Sequence, residues 1–346
     1  MIGQRLRRDS LGRAPIAGLV LTTDVRDAAG QVVLPKGHVL AAADATSLAS
    51  GRWDVLHLVG LEPGDVYEAE AGERLARAVA GPGVTVGECT GGQWPLRAAH
   101  RGVLEVNAAG LAAVNACADL SVYTLFDGQV VDAGESVARA KVIPFALAGD
   151  VLAEGERSAR GGTPIVAVRP FLPRRVAALV HETVPARVAE RFKAGFGEKV
   201  AWFGGTLAEP RFVEADPGRV TTGLAALLSE APDLVVVAGS RTMDPLDPIF
   251  AALDAVGARM VRRGMPAHPG SLCWVAACGA TTIVGMPTCG VFSQATIFDL
   301  ILTWVFAGVP LDPARLAQLG HGGFLTRDMA FRFPPYRHAR DRGEVE

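Results

Sequence analysis

Along the second half of the chain, short apolar runs alternate with turn residues and with stretches of helical periodicity. Residues 234–238, 260–265 and 281–286 are apolar runs that each end at a turn bearing Gly, Pro, Ser or Thr, and helix-like segments follow the first and the last. This rhythm predicts an open α/β sheet with its loops gathered at the strand ends. Upstream, residues 176–180 form another apolar run, ending in His181-Glu182-Thr183-Val184-Pro185. Residues 186–194 then suit a helix and 200–203 a strand. Asp216 is placed to cap a helix over 218–231, with Pro217 at its first position. The last helix, 294–307, carries Ile297, Leu300, Ile301, Trp304 and Val305 at helical spacing, a stripe that belongs to a core and not to a ligand.

The first half has a different texture. Residues 16–66 read as a small β-rich module, with turns at 27–30 and 35–37, a short helix at 44–50 and a strand at 55–59. A helix over 68–80, rich in Ala, Glu, Leu and Arg, stops at Gly81-Pro82-Gly83. Strands at 103–106 and 122–126 flank a helix at 111–117. Lys36 sits in a turn, where an exposed lysine needs no ligand. Lys141 stands beside a strand and a proline, where it either lines a groove or snorkels to the surface. The polar, glycine-bearing stretch 154–163 reads as a linker. The expected organisation is therefore a β-rich module at 1–67, a mixed α/β region at 68–160, the α/β domain at 161–325 and a tail at 326–346, the tail beginning as a short strand pair and ending disordered.

Composition supports a globular chain: 49% of its 346 residues are hydrophobic and 20% charged, enough apolar material for buried cores. A net charge of -2 gives no electrostatic footprint for nucleic acid. No run approaches the ~20 apolar residues of a spanning helix, and no apolar export segment follows Met1. A cytoplasmic protein without nucleic-acid or membrane partners is expected. Five cysteines, Cys89, Cys117, Cys273, Cys278 and Cys289, show no CxxC spacing, which argues against a disulfide framework or a structural zinc site. Cys289 differs from the others in lying in a turn at a strand end.

Candidate chemistry lies in three turns, because ligands of open α/β sheets sit beyond the carboxyl ends of strands. The first turn runs from Ala238 to Pro248, with Gly239, Ser240, Thr242, Asp244 and Asp247. A helix starting near Pro245 would aim N–H groups and a partial positive charge at an anion. Asp244 and Asp247 also fit a capping pair for that helix. The second turn holds His268, Pro269, Gly270 and Ser271 in a stiff loop. The third holds Pro287, Thr288, Cys289 and Gly290 directly before a helix.

The order of these strands, turns and helices resembles the molybdopterin-binding domain of molybdenum-cofactor biosynthesis proteins. In that family's insertion enzymes the matching loops read roughly GGVS…GDYD, KPGKP and LPGNP. A bacterial branch often fused to a nucleotidyltransferase-like domain, with loops like GAS…D..D, GMPVDPGN and GLPGC, is the nearer likeness, and it extends to AKVIPFALAGDV at residues 140–151. Its fused domain is not expected here. The chain departs from the insertion enzymes at Ala238 (a glycine there), Ser271 (a lysine) and Thr288 (a glycine), where a side chain narrows the backbone's approach to a phosphate.

The resemblance implies a three-layer domain with helices on both faces of the sheet, preceded by the smaller β-rich region. It implies molybdopterin or the molybdenum cofactor as ligand, held by Gly239, Ser240, Thr242, His268, Pro269, Gly270, Ser271, Pro287, Thr288, Cys289 and Gly290. As a cofactor-biosynthesis transferase, the chain would use Asp244 and Asp247 as catalytic residues and as ligands of Mg²⁺. Three functions compete. The first is binding of the cofactor for its biosynthesis, maturation or delivery. The second is an inactive scaffold recruiting a molybdoenzyme or a nucleotidyltransferase. The third is a metal-dependent nucleotide pyrophosphate hydrolase. Relatives of such domains also suggest a homo-oligomer.

Overall fold

A computed structural model describes residues 1–240, 242–286 and 296–336. The protein is mixed α/β and divides into two compact units. The first comprises residues 1–99, 106–125 and 134–167; the second comprises 100–105, 126–133 and the chain from 168 onward.

In the first unit, β1 (Ile2–Arg7), β2 (Val20–Leu21) and β3 (Val55–Gly60) form an antiparallel sheet in the order β1-β3-β2. The hairpin Val25–Arg26 with Val32–Leu34 closes over the turn expected at 27–30, where Asp27 accepts hydrogen bonds from the amides of Ala29 and Gln31. Leu6, Leu21, Leu48, Leu56 and Leu58 share a core beneath these elements. The unit continues with α1 (Glu68–Val79), β4 (Val84–Val86), β5 (Trp94–Ala98), α2 (Ala108–Asn115), β6 (Leu120–Thr124), β7 (Ser136–Val142) and α3 (Gly149–Arg160), the strands forming a sheet in the order β6-β7-β5-β4.

Helix α3 corrects the expected linker at 154–163. Its polar residues are committed to the fold: Glu156 is buried and accepts two bonds from Arg74 at 3.1 and 3.0 Å. That bidentate bond holds the Glu156 carboxyl below its ordinary range. Gly155 is small because the Leu120 side chain occupies the space a Cβ would need.

The second unit is built on β8 (Arg175–Val180), α4 (Ala186–Trp202), β9 (Thr206–Leu207), β10 (Arg211–Phe212), α5 (Pro217–Ser229), β11 (Leu234–Ala238), α6 (Pro248–Ala255), β12 (Arg259–Arg263), β13 (Trp274–Cys278), β14 (Thr281–Met286), α7 (Ile297–Phe306) and α8 (Pro313–Gln318). The sheet order is β9-β8-β11-β14-β13-β12, with β10 also pairing β8. Strands β8, β11 and β14 are parallel, whereas β13 runs antiparallel to both β14 and β12.

Both faces of the central strands are buried, so β11 reads as a continuous apolar run without alternation. Val176, Ala178, Val236 and Val284 pack with Phe192, Phe196 and Phe298. Their neighbours Ala177, Leu179, Val235 and Ile283 pack with Val220, Leu224, Ile249 and Leu253. A side-chain period of two sends successive residues into these two separate cores.

Several expected elements change here. The strand expected at 200–203 is the end of α4, because Phe192, Phe196 and Val200 fall one turn apart and bury one helix face. Trp274–Cys278, absent from the three expected runs, is a strand. Helix α5 begins as expected, with Asp216 accepting from Arg219 N and Pro217 in the first turn. In α7 all ten residues are buried, so the apolar stripe is part of a helix enclosed on every side. The expected strand pair in the tail is a 3-10 helix over Arg327–Arg332 instead, and residues 337–346 lie outside the described ones. Among the described residues, no helix is long and apolar enough to cross a membrane.

Candidate functional site

Val180, Ala238 and Met286 stand side by side at the ends of three parallel strands. The β12–β13 hairpin returns its turn to the same rim, because Arg263 pairs with Trp274 and Trp274 pairs with Gly285. The first and second turns therefore leave one edge of the sheet, together with the segment that begins at His181. Pro287, Thr288, Cys289 and Gly290 lie outside the described residues, as does Arg241.

Three interactions tie the first turn to residues that flank the second. The Trp274 indole N–H donates to Ser240 Oγ at 2.9 Å. Thr242 Oγ1 donates to the Leu272 carbonyl at 2.5 Å. Arg263 donates through Nε and Nη2 to the Thr242 carbonyl, at 3.1 and 2.6 Å, while its guanidinium lies over the Phe250 ring at 4.1 Å. Ser240 and Thr242 are buried, at 2% and 6% exposure, and their side chains tie the first turn to Trp274 and Leu272, just beyond the second. Gly239 has φ +94°, and a Cβ there would approach Glu182 Cβ to 3.1 Å, so this glycine lets the turn lie against the His181-Glu182 segment.

The two aspartates separate in role. Helix α6 begins at Pro248, three residues later than expected, and Asp247 is its N-cap, accepting from Ile249 N at 3.0 Å. Asp244 closes the preceding turn by accepting from Leu246 N at 2.9 Å. Asp247 is buried and Asp244 partly exposed. His181, also buried, brings Nε2 to 3.9 Å from Asp247 Oδ1. Among the described residues, no group of three or more His, Cys, Asp or Glu side chains is placed to hold a metal ion. Two carboxylates with phosphate oxygens and water are nonetheless a common Mg²⁺ shell, so Asp244 and Asp247 fit that ion by chemistry.

The second turn is held from the other side. His268 exchanges backbone bonds with Gly323 and Leu325, each at 2.8 Å, and the His268–Pro269 peptide is cis. The Pro269 carbonyl accepts from Ile297 N at 3.2 Å, and Gly270, at φ +111°, admits the Ile297 side chain where a Cβ would stand. The side chains of His268 and Ser271 are exposed. Beside the rim, where Phe212 aligns with Val180, an open cleft of about 850 Å³ is lined by Arg211, Phe212, Asp216, Arg219 and Thr222.

His181, Arg263 and Trp274 join the expected residues only in the structure. His181 carried one visible signal, its place as the first polar residue after an apolar run. The others act through partners distant in the chain. Among the described cysteines, Cys89 is exposed and Cys273 buried. Burial pushes the Cys273 thiol up to about 12, against 9.0 for a free thiol. The unfolded chain loses this proton first, so its contribution to stability is complete below pH 9 and declines as pH rises toward 12. Urea melts from pH 8 to 10.5 should therefore show a loss of about 1.4 kcal/mol per pH unit above 9 that is absent from Cys273→Ala.

No protein-family model matches the chain, and no curated protein matches it either. Among solved structures it is similar to the molybdopterin biosynthesis MoeA protein from Pyrococcus horikosii, at 14% identity over 70% of this chain and 79% of that one, with a TM-score of 0.30. It is also similar to molybdenum cofactor biosynthesis protein B, at 13% identity over 44% of this chain and 95% of that one, with a TM-score of 0.28.

Proposed function

We propose that the rim of the second unit binds molybdopterin or the molybdenum cofactor and that the protein serves in its biosynthesis, maturation or delivery. One observation supports this reading: the Gly239–Asp247 turn is hydrogen-bonded to Leu272 and Trp274, the residues that follow the His268–Ser271 loop, so the two described segments that resemble the family's ligand loops leave one rim of the sheet, over the ends of parallel strands. The same reading takes the unit as three layers, with α4 and α7 on one face of the sheet and α5 and α6 on the other.

In this proposal the pterin phosphate lies toward the N-terminus of α6, whose partial positive charge favours an anion. Asp244 and Asp247 would hold Mg²⁺, which when bound neutralises phosphate charge. Asp247 would keep its oxygen oriented through the Ile249 amide, with His181 Nε2 3.9 Å from the carboxylate. Thr288 and Cys289 would complete the site.

Protein made in a molybdate-replete host, heat-denatured and oxidised, should release a fluorescent pterin. Asp247→Asn should carry about tenfold less while staying folded, because asparagine also caps helices. Wild-type protein that releases no pterin and gives no heat on titration with molybdopterin would end this reading.

A second reading, a scaffold that recruits a molybdoenzyme or a nucleotidyltransferase, draws support from Ser240 and Thr242, whose hydroxyls are already committed to protein partners. It predicts that pterin-free protein and the Asp244→Asn, Asp247→Asn double variant capture such an enzyme equally well.

A further inference from the structure

In the first unit Lys36 pairs with the carboxylate of Glu68, and Lys141, far away in the chain, comes near the same turn that Glu68 adjoins. Lys36 places its amine 3.0 Å from Glu68 Oε2 and 4.7 Å from the centre of the Phe145 ring. Glu68 opens α1 and is buried at 7% exposure, whereas the Lys36 side chain remains 43% exposed. Beside them the chain makes a two-residue hairpin turn. Thr90 and Gln93 exchange backbone bonds of 2.9 and 3.2 Å around Gly91 and Gly92, both with positive φ. A Cβ on Gly92 would stand 2.5 Å from Glu68 Oε1 and 3.9 Å from Lys141 Nζ. The backbone of the turn, the carboxylate and both amines therefore meet in one place.

The surroundings extend this pattern. Arg139 and Lys141 alternate with the buried Ala138, Ala140 and Val142, so they share the outer face of β7. Gln93 Oε1 accepts from Tyr123 Oη at 2.7 Å and from Arg139 Nη1 at 3.0 Å, which fixes the side chain and leaves its NH₂ group as a donor. One lysine would neutralise Glu68. A second lysine and an arginine beside it leave positive charge in excess, next to turn amides that the Thr90–Gln93 ladder does not use.

We propose that this cluster binds a phosphate group, free or on a small phosphorylated molecule, between Lys36 and Lys141. Lysine acts on phosphate as a compact point charge, and the amides of Gly91 and Gly92 add neutral donors. Glu68 takes the place of the anion in the unliganded protein and gives way when phosphate binds. This site lies in the first unit and is independent of the pterin reading.

Titration calorimetry of inorganic phosphate into the full chain at low ionic strength should show saturable binding. Lys36→Gln and Lys141→Gln should each weaken it about tenfold, and the pair should abolish it. Glu68→Gln should tighten it, since the carboxylate competes for the Lys36 amine and repels an anion, an effect that a purely structural ion pair would not produce. Lys193→Gln, which breaks an exposed pair with Glu209, serves as the control and should change nothing. If Lys36→Gln unfolds the module, exposed Arg139→Gln carries the same test and should weaken binding several-fold. Tighter binding of glycerol phosphate than of inorganic phosphate would identify a phosphorylated small molecule; equal binding would identify the free anion. Wild-type protein that does not saturate, or a folded Lys36/Lys141 double variant that binds as well as wild type, overturns the proposal.

Discussion

Lys199→Ala is expected to destabilise the protein by about 3–5 kcal/mol, the cost of stranding one member of a buried ion pair. Lys199 Nζ lies 2.7 Å from Asp299 Oδ1, with the two residues 5% and 0% exposed. The other oxygen of Asp299 accepts from the amide and hydroxyl of Thr296, at 3.0 and 3.2 Å, to cap α7. The lysine amine also lies over the rings of Phe298 and Tyr336. Burial and the Asp299 charge together hold the Tyr336 phenol well above its ordinary range, so it stays neutral beside the aspartate. Removing the amine leaves a carboxylate with no countercharge in the hydrophobic core to which α4 and α7 contribute. Lys199→Met combined with Asp299→Asn should recover much of the loss, because apolar and neutral groups can replace a buried pair at little cost. Urea denaturation would decide it. A loss below about 1 kcal/mol, the size of an ordinary surface pair, would mean the pair is not effectively buried.

Trp274→Ala should cost about 3–5 kcal/mol and loosen both turns of the candidate site. The indole is fully buried, packs near Phe250 and supplies the donor for Ser240. Trp274→Phe separates the two contributions, since it keeps most of the packing and removes only the N–H. That variant should lose about 1 kcal/mol in denaturation while releasing less pterin than wild type. Unchanged stability and unchanged pterin content in Trp274→Phe would show that the Ser240 bond positions nothing.

Strands β11 and β14 were legible to the residue, because a strand covered on both faces appears as an unbroken apolar run between turn signals. The same logic misled at 200–203: Val-Ala-Trp-Phe is also a short apolar run, and only its spacing from Phe192 and Phe196 marks it as helix. Polarity misled at 154–160, where the partner that buries Glu156 lies on α1, outside any local window. At the candidate site, the gathering of turns at one rim followed from strand order. The inward commitment of Ser240 and Thr242 did not, since it depends on Trp274 and Leu272 in another strand and loop. Helix α6 begins at Pro248 because Asp247, and not Asp244, meets the first free amide.

Gly285 has a further consequence. With greasy surroundings above and below the sheet, hydrophobicity gives no preference for which residue of β14 faces Trp274. The missing side chain does, because any Cβ at 285 would intrude on the indole directly across from it. A slip of one position would press that ring against Val284 or Met286. Size, not polarity, thus keys the alignment of these two strands, and through it the height at which the Arg263–Trp274 hairpin presents its loop.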